Sequence, residues 1–281
     1  MAIEKVVKKN ESDLLKKVDG TARKKRDESD FLDKVYGLAP QVEWEELPEL
    51  QVPKMVVEIC GAEGSGKTHA ACTFPKPALL DTEGKAWVIM KKFGHAKWAK
   101  ANNFEDVISF VKTVVNDPEI ETAIFDSSRD VVDMAERYAL EQLGKETLFS
   151  QTGGQVLYTH VYQKMDWLIT TLRRAGKNVV FTSRMKEEYK NNSRTGRMIR
   201  DGYKKSPYQV DVVIELRSEI EWGGEIYPLM TDVARVTKNG YVKKSQKKPY
   251  IKDACYDTIV KDIFETVPDQ TAYIEEFKKS L

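Results

Sequence analysis

The sequence predicts an α/β fold: a mainly parallel central sheet flanked by helices, with an antiparallel hairpin late in the chain. Three observations predict it. Short β-branched runs alternate with stretches of helical periodicity, the pattern of a sheet covered on both faces. A glycine-rich octapeptide lies where the first strand gives way to the first helix. A Gly223-Gly224 pair follows the fifth strand and suggests a hairpin returning through Ile226–Val236.

Each element has its own reason. Met55–Cys60 (MVVEIC) is the first strand and stops at Gly61. A helix from Lys67 must end at Thr73, because Pro75 and Pro77 cannot continue it. Ala78–Asp81 (ALLD) is the second strand. Phe104, Val107, Ile108, Val111, Val114 and Val115 recur at helical spacing and define a helix over 104–115. Glu121–Asp126 (ETAIFD) is the third strand, followed by a helix over 131–143. A long helix over 156–174 carries Leu157, Val161, Met165, Leu168, Ile169 and Leu172 on one face, and Gly176 ends it. Asn178–Ser183 (NVVFTS) and Asp211–Leu216 (DVVIEL) are the fourth and fifth strands. Residues 53–252 thus form the expected core, with 253–281 a helical tail. Residues 1–52 read as an extension and linker. Its first thirty residues hold Lys/Arg runs with interspersed acids, short helices at Ser12–Val18 and Ser29–Tyr36 carry too few apolar residues to fold alone, and Pro40 and Pro48, with Pro53 just beyond, punctuate the rest.

Composition bounds the class. The chain has 281 residues, 45 Lys plus Arg against 44 Asp plus Glu, 41% hydrophobic and 32% charged residues. That supports a packed core under a charged surface and argues against wholesale disorder. Mean hydropathy is −0.51. The sequence has no apolar run long enough to span a membrane, and MAIEKVVKKNESDLLKK lacks a signal peptide's apolar stretch. Cys60, Cys72 and Cys255 form no CxxC pair, so the expected setting is reducing and cytoplasmic. Charge is unevenly placed. Arg184–Ser206 holds eight basic and three acidic residues, and Arg235–Lys252 holds seven basic residues and no acid. Such segments can meet a polyanion locally.

The octapeptide Gly61-Ala62-Glu63-Gly64-Ser65-Gly66-Lys67-Thr68 matches G-x-x-x-x-G-K-[ST] at every fixed position. Its glycines let successive N–H groups converge on a phosphate, with the following helix adding its positive end. Residues Gly61 through His69 are therefore the expected nucleotide-binding segment. Lys67 reaches the β- and γ-phosphates of ATP, and the Thr68 hydroxyl ligates Mg²⁺. Asp126 ends an apolar strand at the carboxyl edge, where open α/β sheets bind ligands, and is the expected second metal-side group; it could instead cap the next helix. Ser127 and Ser128 follow it, so no glutamate stands beside it to orient water. Glu83 in Asp81-Thr82-Glu83-Gly84 is the next candidate for general base, the other reading being a turn cap; Asp81 reads as structural. His69, His95 and His160 have no metal-ligand spacing.

Taken together, GAEGSGKT, LLDTEG, AIFDSS, the long helix leading into NVVFTSRMKEEY and the late RVTKNG resemble the RecA-like recombinase family over roughly Met55–Lys252. The resemblance is to its short phage type of recombination mediator or single-strand annealing protein. It implies a RecA-like P-loop ATPase fold, DNA-stimulated ATP hydrolysis, and a self-assembled ring or filament with ATP between subunits. It further implies single-stranded DNA and a single-strand binding protein as partners, and a host-cytoplasm location if phage-encoded. It supports Glu83 as catalytic. It places a polar sensor at Arg184, where the family usually has Gln, and a trans-acting cation at Lys238, which could otherwise be a hairpin-turn lysine. It puts a mobile DNA-binding loop at Met185–Tyr208, with Lys186, Lys190, Arg194, Arg197, Arg200, Lys204 and Lys205 tracking phosphates and Tyr189, Tyr203 and Tyr208 between them. A solvated loop without ligand is the other reading of that segment. Lys243, Lys244, Lys247 and Lys248 read equally as phosphate contacts or as a solvated run. An ATP-dependent switch or motor acting on a protein partner, such as a helicase loader or packaging ATPase, shares the same loop and carboxylates. A small-molecule kinase would need an acceptor pocket and lid that are not evident.

Overall fold

The computed structural model describes residues 52–94, 97–144, 154–203, 206–222 and 224–280. The chain divides into two units, Met1–Gln51 and Val52–Leu281, and the described residues belong to the second. The expected short helices before residue 52, His95, Lys204 and Lys205 lie outside the described residues.

Among the described residues nine strands build one sheet. They are β1 (Val56–Gly61), β2 (Pro77–Asp81), β3 (Lys97–Lys100), β4 (Thr122–Asp126), β5 (Asn178–Lys190), β6 (Ser193–Asp201), β7 (Val212–Trp222), β8 (Glu225–Asn239) and β9 (Tyr250–Lys252). Their order is β3-β2-β4-β5-β1-β7-β8-β9, with β6 paired to β5. The pairs from β3 to β7 are parallel, and β7–β8, β8–β9 and β5–β6 are antiparallel. This is the predicted mixed α/β architecture with its largely parallel centre and late antiparallel pairing. Strand β5 separates β1 from β4, and the register aligns Gly61 with Arg184 and Asp81 with Asp126 along one carboxyl edge.

The helices are α1 (Lys67–Cys72), α2 (Trp87–Met90), α3 (Phe104–Asn116), α4 (Ser128–Gln142), α5 (Gly154–Arg174), α6 (Ser206–Gln209), α7 (Tyr256–Phe264) and α8 (Gln270–Lys279). Strand residues alternate between two cores. Val56, Cys60, Leu80 and Phe125 pack with Val107, Val111, Ala135, Met165 and Leu168 of α3, α4 and α5. Val57, Ile59, Leu79, Ile124 and Val180 pack with Ala70 and Ala71 of α1 and Ile259 and Ile263 of α7. Each fully buried aliphatic side chain contributes roughly 1.5–3 kcal/mol. A third, small cluster joins Ile220, Val233 and Tyr250 to Ile274 and Phe277 of α8.

Several features depart from the sequence reading, three of them instructive. The segment after Ser183 is not a loop. Strand β5 runs on through Lys190 and returns as β6, making a ribbon that leaves the sheet. Asn191 (φ 51°) and Asn192 (φ 63°) make the turn; paired positive φ values match the twist of a hairpin, and Asn tolerates them. Strand β3 (KWAK) escapes detection because it is an edge strand of four residues, mostly exposed and flanked by lysines. The short helix α2 is likewise too brief to show a period.

Candidate functional site

The phosphate loop spans the end of β1 and the start of α1. Geometry requires its glycines, as Gly66 and Gly61 show. Gly66 takes φ +84°, and a Cβ on Gly61 would lie 2.6 Å from Ser65 Oγ and 3.0 Å from the Leu216 carbonyl oxygen of β7. Inside the loop, Lys67 Nζ donates to the carbonyl oxygens of Ala62 (2.6 Å) and Gly61 (3.2 Å). Burial pushes its ammonium below the ordinary lysine range, an effect that Asp126 and Glu83 oppose.

Asp126, at the end of β4, lies against the loop. Thr68 donates to its Oδ2 at 2.9 Å, and the Thr182 hydroxyl of β5 donates to its Oδ1. Burial raises its carboxyl above the ordinary range, and those two hydroxyls pull it back. Among the described residues no group of three or more His, Cys, Asp or Glu could hold a metal by itself. A hydroxyl and a carboxylate side by side are the hard oxygen pair that suits Mg²⁺ brought in on phosphate oxygens.

The turn after β2 is built around Asp81. Its Oδ1 accepts from the amides of Glu83 (3.0 Å) and Gly84 (2.7 Å). Its Oδ2 accepts from the amide of Ala86 (2.9 Å) and from Trp98 Nε1 (3.0 Å). With all four donors taken, Asp81 shapes the turn and Glu83 is left facing the loop. Lys67, Thr68, Asp81, Glu83, Lys85, Asp126, Thr182 and Arg184 share one cavity of about 280 Å³.

Arg184 pairs with Glu83 through its guanidinium, so the two residues read separately from the sequence as sensor and base are in contact. Arg184 also sits where β5 leaves the sheet to become the ribbon. The return strand is tied down as well. Arg200 of β6 pairs with Glu58 of β1, a carboxylate with no exposed surface. Ser183 donates to the same carboxylate at 2.6 Å, and its hydroxyl is 2.8 Å from that of Ser128 at the start of α4. Sequence reading missed Glu58; an acid inside an otherwise apolar central strand was the available signal, since such a group must be paired.

The remaining expected residues fall elsewhere. Arg200 is turned inward, where the sequence reading had it facing phosphates. Lys186 pairs with Asp201 (2.6 Å), Lys190 with Glu188 (3.4 Å) and Arg194 with Glu187 (3.1 Å), while Arg197 is exposed on the ribbon. Tyr189, Met198 and Ile199 of the ribbon are exposed beside them, whereas Tyr203 is buried. His69 lies exposed on α1, edge-on to Phe93. Lys238 sits opposite Val213 near the amino end of β7, and its ammonium bonds the Val210 carbonyl. That is the sheet edge away from Gly61, so it does not reach the phosphate loop of its own chain. Of the late lysines, Lys247 donates to the Val236 carbonyl, and Lys248 pairs with Asp262 (2.7 Å) and Glu265.

Among the described residues no helix is long and apolar enough to cross a membrane. A family model described as an AAA domain matches residues 53–249. A search of curated proteins found no match.

Proposed function

We infer, from the premise that this chain belongs to the AAA-domain family and carries a P-loop ATP-binding and ATP-hydrolysing domain, that it is a RecA-like ATPase acting on single-stranded DNA in annealing or strand exchange. Thr68 and Asp126 would hold Mg²⁺ on the bound nucleotide, and the metal would supply charge neutralisation at the β- and γ-phosphates. Lys67 exchanges its two loop carbonyls for phosphate oxygens. Glu83 holds the attacking water and takes its proton. Residues Gly61 through His69 form the nucleotide segment, with Lys238 serving the site of a neighbouring copy.

The observation that carries this reading is the Arg184–Glu83 contact at the root of the β5–β6 ribbon. It links the hydrolytic carboxylate to a projecting arm with Lys186, Lys190, Arg194 and Arg197 on it. A bound γ-phosphate competes with Glu83 for Arg184, so nucleotide state acts on the arm. Cations follow the phosphate backbone, and the exposed Tyr189 offers a face for an unpaired base at about 1–3 kcal/mol.

The second reading, an ATP-driven switch on a protein partner, is favoured by a different observation. Three of the ribbon's cations are paired with ribbon acids, and apolar Met198 and Ile199 are exposed among them. Steady-state ATPase rates with and without single-stranded DNA separate the two. Stimulation that fades steeply with salt supports the first. A rate indifferent to DNA at low salt removes it in favour of the second.

A further inference from the structure

We propose that Asp130 is a positioning residue for hydrolysis: one carboxylate oxygen of α4 fixes the Glu83 turn against the Asp126 strand end. The inference rests on Glu83 being the hydrolytic base.

Asp130 Oδ2 accepts from the Ser127 hydroxyl at 2.8 Å and lies 2.7 Å from the Thr82 hydroxyl. Thr82 directly precedes Glu83, and Ser127 directly follows Asp126. The same Thr82 hydroxyl also lies 2.8 Å from the Asp126 carbonyl oxygen and accepts from the Ser127 amide at 3.0 Å. The Thr82 amide donates to that carbonyl at 2.9 Å. Two chain segments from neighbouring parallel strands therefore meet at the carboxyl edge, and one oxygen of a third element lies within hydrogen-bond distance of both hydroxyls.

The consequence is geometric. The metal side of the site depends on Asp126 and the water side on Glu83, and no direct bond between those two carboxylates sets their separation; like charges repel. The clamp sets it through the adjacent residues. Asp130 also adds to the negative field around the Arg184 guanidinium, behind the larger effect of Glu83 itself. The cavity that joins Lys67, Thr68, Glu83 and Asp126 is lined by Ser127 but not by Asp130, so loss of the Asp130 carboxylate should act on turnover and spare nucleotide binding.

Four variants test this by kcat, by ATP dissociation constant from calorimetry, and by melting temperature: Asp130→Ala, Asp130→Asn, Glu83→Gln and Glu83→Gln/Asp130→Ala. A misplacement of the base is expected to lower kcat of Asp130→Ala about 10–100-fold, with ATP affinity within about threefold of the native chain. Asp130→Asn keeps an oxygen acceptor for both hydroxyls and should recover most of the rate. The double variant should be no slower than Glu83→Gln, because groups acting as a unit are not additive. Unchanged kcat in Asp130→Ala, an equal loss in Asp130→Asn, or an additive double variant overturns the proposal. If Asp130→Ala does not fold, Thr82→Val removes one arm of the clamp and must show the same loss of kcat at constant affinity. Normal turnover by Glu83→Gln is a separate outcome: it moves the base away from Glu83 and overturns the reading on which the proposal stands.

Discussion

Removing the Arg200 guanidinium should destabilise the protein more than any other loss from the ribbon. Glu58 has no exposed side-chain surface and Arg200 only 20%, so Arg200→Ala leaves a buried carboxylate without its cation, while the Ser183 hydroxyl still donates to it. Breaking a buried pair from one side costs about 3–5 kcal/mol. The Ser183 hydroxyl offsets part of that, which puts the expected loss near the lower end, about 3 kcal/mol. At about 2–4 °C per kcal/mol for a domain of this size, the melting temperature should fall by roughly 6–12 °C. Arg194→Ala is the internal control. Its pair with Glu187 is largely exposed, 70% and 43%, and should be worth under about 1 kcal/mol. Urea unfolding followed by far-ultraviolet circular dichroism measures both. The replacement Glu58→Gln/Arg200→Met, which removes both charges, should recover most of the loss. An Arg200→Ala midpoint within error of Arg194→Ala would overturn this account, because it would mean that the Glu58 carboxylate does not depend on the Arg200 guanidinium for its partner.

Lys67→Ala should abolish detectable ATP turnover by removing the phosphate clamp, while the melting temperature without nucleotide stays close to native; retained ATPase activity would remove the site. Gly61→Ala should weaken ATP binding and cost about 1–3 kcal/mol of stability, since its Cβ meets the Leu216 carbonyl and Ser65 Oγ; denaturation and calorimetry read the two effects. Because burial raises the Asp126 carboxyl, its proton is favoured in the folded, metal-free protein, and that contribution is present at low pH and lost as pH rises through the raised value. Mg²⁺ needs the carboxylate, so Mg·ATP affinity should fall as pH drops toward that value, with proton release on binding detected by calorimetry in buffers of different ionisation enthalpy. Affinity flat across the acid range would reassign the metal ligand.

Much of the parallel sheet was legible because its strands are buried on both faces, and such strands read as continuous apolar runs whatever surrounds them. The phosphate loop was legible for a similar reason: the spacing of Gly61, Gly66, Lys67 and Thr68 encodes a backbone shape that neighbours do not alter. Asp126 and Glu83 could be named from the ends of apolar runs, since a strand's carboxyl end is a position in the sequence. Strand β3 was not legible, because a short edge strand needs only one partner and little burial. The β5–β6 ribbon was missed because exposed strands carry the same polar residues as loops, and its pairing is decided by the turn at Asn191-Asn192.

The α/β architecture, the phosphate loop and the carboxylates beside it can be read along the chain, because periodicity and local spacing are properties of contiguous residues. That Arg184 meets Glu83, that Arg200 turns inward to Glu58, and that Asp130 ties Thr82 to Ser127 follows from the assembled fold alone. Those pairs join residues from separate elements, and a charge finds its partner only once strand order and register have brought the elements together.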